Sequence, residues 1–572
     1  MSPRPAFSAV SVSSLFSLLI LGACSAPRTT PVTAPVPAPA TAPVPAAAPT
    51  PGAAPTPTAT REITEAPKDW QLLDAAADGV PGTSARRAVR ELLAGRTPQR
   101  TVVVAVVDGG VDTAHVALRS ALWSNAKEVA ANGKDDDNNG YADDTRGWNF
   151  LGGASGENVN WDTLELTREQ VRCTKLTAVP SPTAATDSTR ARCAAIARQF
   201  EAKRTELQQM SAQLTMIDGM YRRSVRILRT ALPTDSVTEA RVRALAPAVD
   251  SVRQARELFL RMTAAGITGQ AIADSKEDVQ GQLEYGLNTD FDPRKVIGDN
   301  PSDPAERRYG NRDVTGPDAK HGTHVAGIIA AARDAASGVE GIGAGAMVRL
   351  MPVRAVPNGD EHDKDVANAI RYAVDNGAQI INMSFGKGFS PDKAAVDAAV
   401  KYADSKGVLL VHAAGNDGED LAESPSFPVA GYAGGGSAAN WIEVGASSWK
   451  GGSALAAPFS NYGKAQVDLF APGVDILSTV PGGGFARESG TSMASPVVAG
   501  VAALLMSYFP KLSAGDVKRL LVETATPHGD EMVVRPGTQG EKVRFGELSR
   551  TGGIVNAYAA VKAALAAGGV AQ

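Results

Sequence analysis

Residues 102–107 read Val-Val-Val-Ala-Val-Val, an unbroken apolar run made mostly of β-branched residues. A run with no polar face predicts a strand covered on both sides, as in a parallel sheet. Further apolar strands are predicted at 347–353, 378–384 and 408–413. Between them, 363–376 and 391–406 place apolar residues at helical spacing and stop at Gly377 and Gly407, the residue type that best takes a left-handed cap. Strands and helices in alternation predict an α/β fold, a mostly parallel sheet between layers of helices.

Residues 157–300 interrupt that alternation. From Ile196 the apolar positions 200, 207, 210, 214, 217, 221, 225, 228 and 232 step almost entirely by three or four, the seam of one long helix that Pro233 ends. A second helical pattern covers 237–263 with a break at Pro247, so the insertion is expected to be an antiparallel helical hairpin. Its neighbours, 61–156 and 301–567, are then the two parts of one catalytic domain, and 84–94 is a further short helix.

The N-terminal stretch follows a different logic. Residues 1–24 combine an early Arg4, an apolar or small stretch from 10 to 20, and Leu21-Gly22-Ala23-Cys24, too short to span a membrane. They resemble a bacterial lipoprotein signal cut before Cys24, whose thiol then carries lipid; Ser25 after it favours the outer membrane. An ordinary secretory signal with an incidental cysteine is the alternative. Residues 25–60 are Pro, Ala and Thr with eleven prolines between Pro27 and Pro57, a composition that cannot bury a core and extends as a tether. The roughly 40 residues from there to Thr101 are too few for a separate folding module and are expected to stay with the mature protein.

Composition narrows the partners. A net charge of −4 over 572 residues offers no field for nucleic acid. With Cys24 set aside, Cys173 and Cys193 form an even pair in an exported chain, which suggests a disulfide; two free thiols are the alternative.

Acyl transfer by a serine needs a hydroxyl next to a base, a carboxylate that orients the base, and donors for the oxyanion. Ser492 lies in Gly-Thr-Ser-Met-Ala-Ser-Pro (490–496) directly before an apolar helical run, where a helix N-terminus points positive charge at a reacting carbonyl. His321 opens His-Gly-Thr-His-Val-Ala-Gly (321–327), and Asp108 ends the first buried strand, at the carboxyl edge where open α/β sheets place their sites. Five other histidines compete. His324 is expected to pack against the scaffold and His115 to hold a structural hydrogen bond. His412 lies beside the pocket wall, and His362 and His528 are read as solvated loop residues.

These two motifs, with Ala-Ala-Gly-Asn at 413–416 and the chain order Asp, His, Ser, resemble the subtilase family over roughly 101–156 and 300–566. The resemblance implies a subtilisin-like three-layer fold and a serine endopeptidase acting on proteins or peptides, without a catalytic cofactor. It also implies that the Asn416 amide and the Ser492 N–H form the oxyanion hole. Ser384-Phe385-Gly386 would pair with substrate backbone, and Ala413-Ala414-Gly415 would wall a roomy pocket for large apolar side chains. One departure is Gly109, where the family usually has a hydroxyl residue after the catalytic Asp; a backbone N–H or water would have to replace it. A fold-retaining binding protein without turnover is the rival reading.

Asp135-Asp136-Asp137-Asn138-Asn139-Gly140-Tyr141-Ala142-Asp143-Asp144 repeats the first half of an EF-hand loop, but Arg146 stands where the bidentate Glu belongs. Structural calcium is expected on Asp135, Asp137, Asn139, the Tyr141 carbonyl and Asp143, with Asp144 or a distant group completing the shell. A solvated acidic turn is the alternative.

Overall fold

The computed structural model describes residues 65–178, 187–232 and 236–567. The leader, Cys24, the tether and Pro233 lie outside the described residues.

Before the first strand, Trp70, Leu72 and Val80 are buried in the main core, and the Trp70 Nε1 donates to the Val474 carbonyl at 2.9 Å. The helix α1 (Ala85–Glu91) follows. This segment is therefore an integral part of the folded body. Strand β1 (Val102–Asp108) then runs through the middle of the sheet, sending Val102, Val104 and Val106 to one core and Ala105 and Val107 to the other. Strand β2 (Trp148–Asn149) makes one edge.

The insertion contains α2 (Glu165–Ala178), α3 (Asp187–Ala231), α4 (Glu239–Ala244), α5 (Asp250–Ala264) and α6 (Gly269–Gly281). The expected hairpin is present as α3 against α5. Leu228 clusters with Ala255 and Phe259, and Ile217 with Met262, an antiparallel register. A hairpin alone is nevertheless too simple. Helix α2 carries little apolar periodicity because its buried face includes Glu165, which meets Lys387 of the body, Thr167, which donates to the Gly286 carbonyl, and Glu169, which pairs with Arg172 and Arg192. Of the large apolar side chains, α6 buries only Ile272 and Val279. Neither helix announces itself by hydrophobic spacing. A Cys173–Cys193 disulfide joins α2 to α3.

The chain returns through α7 (Lys320–Ala330), β3 (Val348–Arg354), α8 (Asp363–Asp375), β4 (Ile380–Met383), α9 (Lys393–Ser405), β5 (Leu409–Ala413), β6 (Trp441–Ser447) and β7 (Leu469–Pro472). A two-stranded ribbon of β8 (Ile476–Val480) and β9 (Gly484–Glu488) leads into α10 (Thr491–Tyr508), and α11 (Ala557–Ala567) closes the domain. The sheet order is β2-β3-β1-β4-β5-β6-β7, all parallel, continued by Gly553–Ile554 and an antiparallel edge at Thr526–Pro527. Helices α7, α10 and α11 cover one face, α8 and α9 the other, which makes three layers. Gly377 and Gly407 adopt φ of 83° and 70° behind α8 and α9, the left-handed caps their positions suggested.

Because Trp70 fills a fully buried site, Trp70→Ala should destabilise the domain by about 3–5 kcal/mol in denaturant unfolding. Sequencing of the active protein should find Trp70 retained; a stable active form that starts near residue 100 would contradict the integral role of this segment.

Candidate active site

Asp108 ends β1 and is 2% exposed. Its Oδ1 accepts the Gly109 N–H at 2.8 Å, so a backbone donor supplies part of what a hydroxyl at 109 would have given. The same carboxylate faces His321 Nδ1, with Oδ1 at 2.9 Å and Oδ2 at 3.0 Å. His321 sits in the first turn of α7, and the next residue must be glycine-sized. A Cβ on Gly322 would lie 2.2 Å from the Gly110 carbonyl oxygen and 3.0 Å from Asp108 Oδ1. Desolvation in the cleft pushes the imidazole pKa down, but Asp108, by charge and hydrogen bond, with Glu488 and Asp318 behind it, raises it to about 9.

Ser492 occupies the first turn of α10. Its hydroxyl donates to the Ser384 carbonyl at 3.1 Å rather than to His321. The Ser384 side chain returns the contact, donating to the Ser492 carbonyl at 2.9 Å and meeting Ser495 Oγ at 2.9 Å. Asn416 Oδ1 accepts from the Thr491 N–H at 2.8 Å and from the Thr491 hydroxyl at 3.0 Å. With its oxygen engaged there, the amide turns its N–H groups the other way. Thr491 is thus a positioning residue that sequence reading passed over, although it stands inside the motif that marks Ser492.

Asp108, His321, Asn416 and Ser492 border one open cleft of about 430 Å³, together with Ser384, Phe385, Gly386, Ala413 and Gly415. Ala414 does not join them: it is fully buried in a separate core with Leu421, Val467 and Phe470, facing away from the expected pocket wall. The cleft also departs from a purely apolar pocket. Asp278, Asp318, Glu361, Asp417 and Glu488 border it, Asp278 coming from the insertion.

The other histidines have settled partners. His324 is buried, its Nε2 near the Ala486 carbonyl at 3.1 Å, and burial lowers its pKa. His115 bridges the Gly484 carbonyl and the Ala117 N–H. His412 spans Glu443 Oε1 and the Phe385 carbonyl, both at 2.8 Å, and so fixes a wall of the cleft. His362 and His528 are not free loop residues, since each faces a carboxylate, Asp162 at 3.2 Å and Glu531 at 2.6 Å.

At the acidic loop, Glu128, Asp135 and Asp137 bring ligand oxygens within 4.8 Å of one another. The Asp143 carboxylate turns instead to the N–H groups of Asn132 and Gly133 and to Arg312 at 2.8 Å. Asn139 Oδ1 accepts the Tyr141 N–H, and the Tyr141 ring packs among Trp148, Phe150 and Tyr372. Glu128 replaces Asp143 in the cluster. It lies outside the motif, and only the folded loop brings it close.

A subtilase-family model matches residues 99–545, more than half of the chain. A thermophilic serine proteinase of Bacillus sp. (strain AK1) is 41% identical over 243 residues, 42% of this chain and 53% of its own length. Subtilisin DY of Bacillus licheniformis is 37% identical over 260 residues, 45% of this chain and 86% of its own. Subtilisin Savinase of Lederbergia lenta is 40% identical over 210 residues, 36% and 71%. The chain spans about half the length of several curated relatives it matches.

Proposed function

The chain belongs to the subtilase family, and from that premise we propose that it is an exported serine endopeptidase that cleaves proteins or peptides through an acyl-enzyme on Ser492. The observation that carries this reading is the Asp108 clamp on His321 Nδ1, at 2.9 and 3.0 Å. In the neutral ring it selects the tautomer with the proton on Nδ1 and a free lone pair on Nε2, and His321 and Ser492 border the same cleft. The Ser492 hydroxyl turns from the Ser384 carbonyl to His321 Nε2 as substrate enters; such contacts tighten in the Michaelis complex. His321 takes the proton as Ser492 Oγ attacks the carbonyl carbon, and Asp108 stabilises the imidazolium. The Asn416 amide and the Ser492 N–H receive the oxyanion. His321 then protonates the leaving amine, and water repeats the sequence to release the acid. The Ser492–Ser384 contact is the one feature favouring a binding protein without turnover, and labelling of Ser492 by a fluorophosphonate separates the two readings.

Export and anchoring belong to the same proposal. The Cys173–Cys193 disulfide supports an oxidising compartment, and the sequence at Cys24 supports a lipid anchor in the outer membrane. The acidic loop fits structural calcium: Glu128, Asp135 and Asp137 are hard oxygen donors, and three like charges this close repel unless a cation lies between them. Calcium there would stiffen the loop and take no part in the chemistry.

Ser492→Ala should remove peptide hydrolysis, by about 10⁶ in kcat if it follows the value that loss of the nucleophile gives in a subtilisin. The base works only when neutral, so kcat/KM should rise with pH around a midpoint near 9 and fall below it; Glu488→Gln should move that midpoint down. A flat profile from pH 6 to 10 would exclude His321 as base. Chelation should lower the melting temperature and calcium restore it, by about 2–4 °C per kcal/mol, with Asp137→Asn abolishing the response; identical melting with and without calcium would remove the metal. In detergent phase partition, the wild type should enter the detergent and Cys24→Ala the aqueous phase.

A further inference from the structure

Among the described residues, Glu361 and Gln282 border the cleft and each keeps a buried acceptor oxygen without a hydrogen-bond partner. Glu361, between β3 and α8, is 2% exposed, and its Oε1 has no hydrogen-bond partner among the described residues. Gln282, in the turn after α6 of the insertion, is 9% exposed, and its Oε1 is likewise without one. Its Nε2 donates to Asp278 Oδ2 at 3.1 Å, which fixes the carbonyl end as the one left over. Glu361, Gln282 and Asp278 all border the same cleft as Ser492.

An unmet buried acceptor costs about 1–3 kcal/mol, more when it is charged, so a fold that retains two at one cavity is built for a donor from outside. Cations of the chain do not serve. Lys387 Nζ is taken by Glu165 Oε2 and Asp363 Oδ1, each at 2.9 Å, and by the Glu361 backbone carbonyl at 2.7 Å. Arg168 pairs with Glu165 and donates to the carbonyls of Asp360 and Glu361 at 3.1 and 3.2 Å. These two cations hold the Glu361 backbone in place, and neither meets its Oε1. Burial raises the Glu361 carboxyl to about 7, against the opposing pull of Lys387, so an arriving cation would meet a group ready to ionise near neutral pH. The side chains that offer donors and no acceptor are Lys and Arg.

We propose that Glu361, with Gln282 and Asp278 from the insertion, forms a subsite for a Lys or Arg side chain of the substrate. The proposal rests on the peptidase reading. It gives the insertion a role: its α6 end supplies one wall of the specificity site, and the α2 ion pairs secure the opposite one.

Quenched peptide pairs that differ only by Lys or norleucine, placed at successive positions before the scissile bond, test it. At one position Lys should be favoured by about tenfold or more in kcat/KM. In Glu361→Gln that ratio should fall toward one, with fluorophosphonate labelling of Ser492 showing that the variant is folded; Gln282→Leu should lower it partly. No preference at any position, or a preference that survives Glu361→Gln, overturns the subsite. Fluorescence anisotropy of the same pairs on Ser492→Ala separates the two readings. Selective binding of the Lys peptide without hydrolysis by the wild type would sink the peptidase and keep the subsite. Hydrolysis without selectivity would do the reverse.

Discussion

The contact between Asp108 and His321 is the constraint on which the rest of the molecule turns. One residue ends a central strand, the other begins a helix 213 positions later, and their side chains must meet within 3 Å. Gly322 makes the approach possible, because any side chain there would strike both the Gly110 carbonyl and the carboxylate itself. The parallel order then does the remaining work. With β3, β1, β4 and β5 adjacent, Asp108, Ser384 and Ala413 stand or follow at the same carboxyl edge, and α10 starts over it. A sheet of this kind brings remote segments together because every strand ends on the same side.

Much of this was legible from residue pattern. The run at 102–107 has no polar face because its strand is covered on both sides, and β3, β4 and β5 follow the same rule. Asp108, His321 and Ser492 stood out because they sit where a strand stops or a helix starts. What escaped was whatever depends on polar burial. Helix α2 turns Glu165 and Glu169 inward against Arg168, Lys387 and Arg172, and an apolar template does not register such a face. Glu128 joins Asp135 and Asp137 only through the fold of the intervening loop. Thr491 was in view but its task, holding Asn416 Oδ1, is a matter of geometry.

The insertion illustrates how a long excursion becomes part of a site. Loop length costs little in closure entropy; fixing an insertion of 144 residues against the body is the demanding part. Here buried ion pairs join the apolar contacts of Val159, Ile297 and Phe389 in the docking. Glu165 and Lys387 are both nearly inaccessible and 2.9 Å apart, while Arg294 meets Asp365 at 2.6 Å. Removing one partner of such a pair leaves an uncompensated buried charge, a loss of about 3–5 kcal/mol. Apolar packing tolerates sliding, whereas paired charges fix position. A wall that borders a cleft must hold its place, and that explains why this interface is charged where the distal α3–α5 contacts are hydrophobic.

The carboxylates around the cleft act in two opposed ways on the base. On the proposed mechanism, Asp108, Glu488 and Asp318 would stabilise the imidazolium that forms when Ser492 gives up its proton, which favours the transition state. The same charges favour the protonated form of His321 in the free protein. Desolvation is the term that works the other way. On the same proposal, a peptide in the cleft would displace water from around His321 and strengthen desolvation, moving the base toward its neutral form. Substrate binding and base activation would then be one event, coupled by an open cleft bordered by many carboxylates.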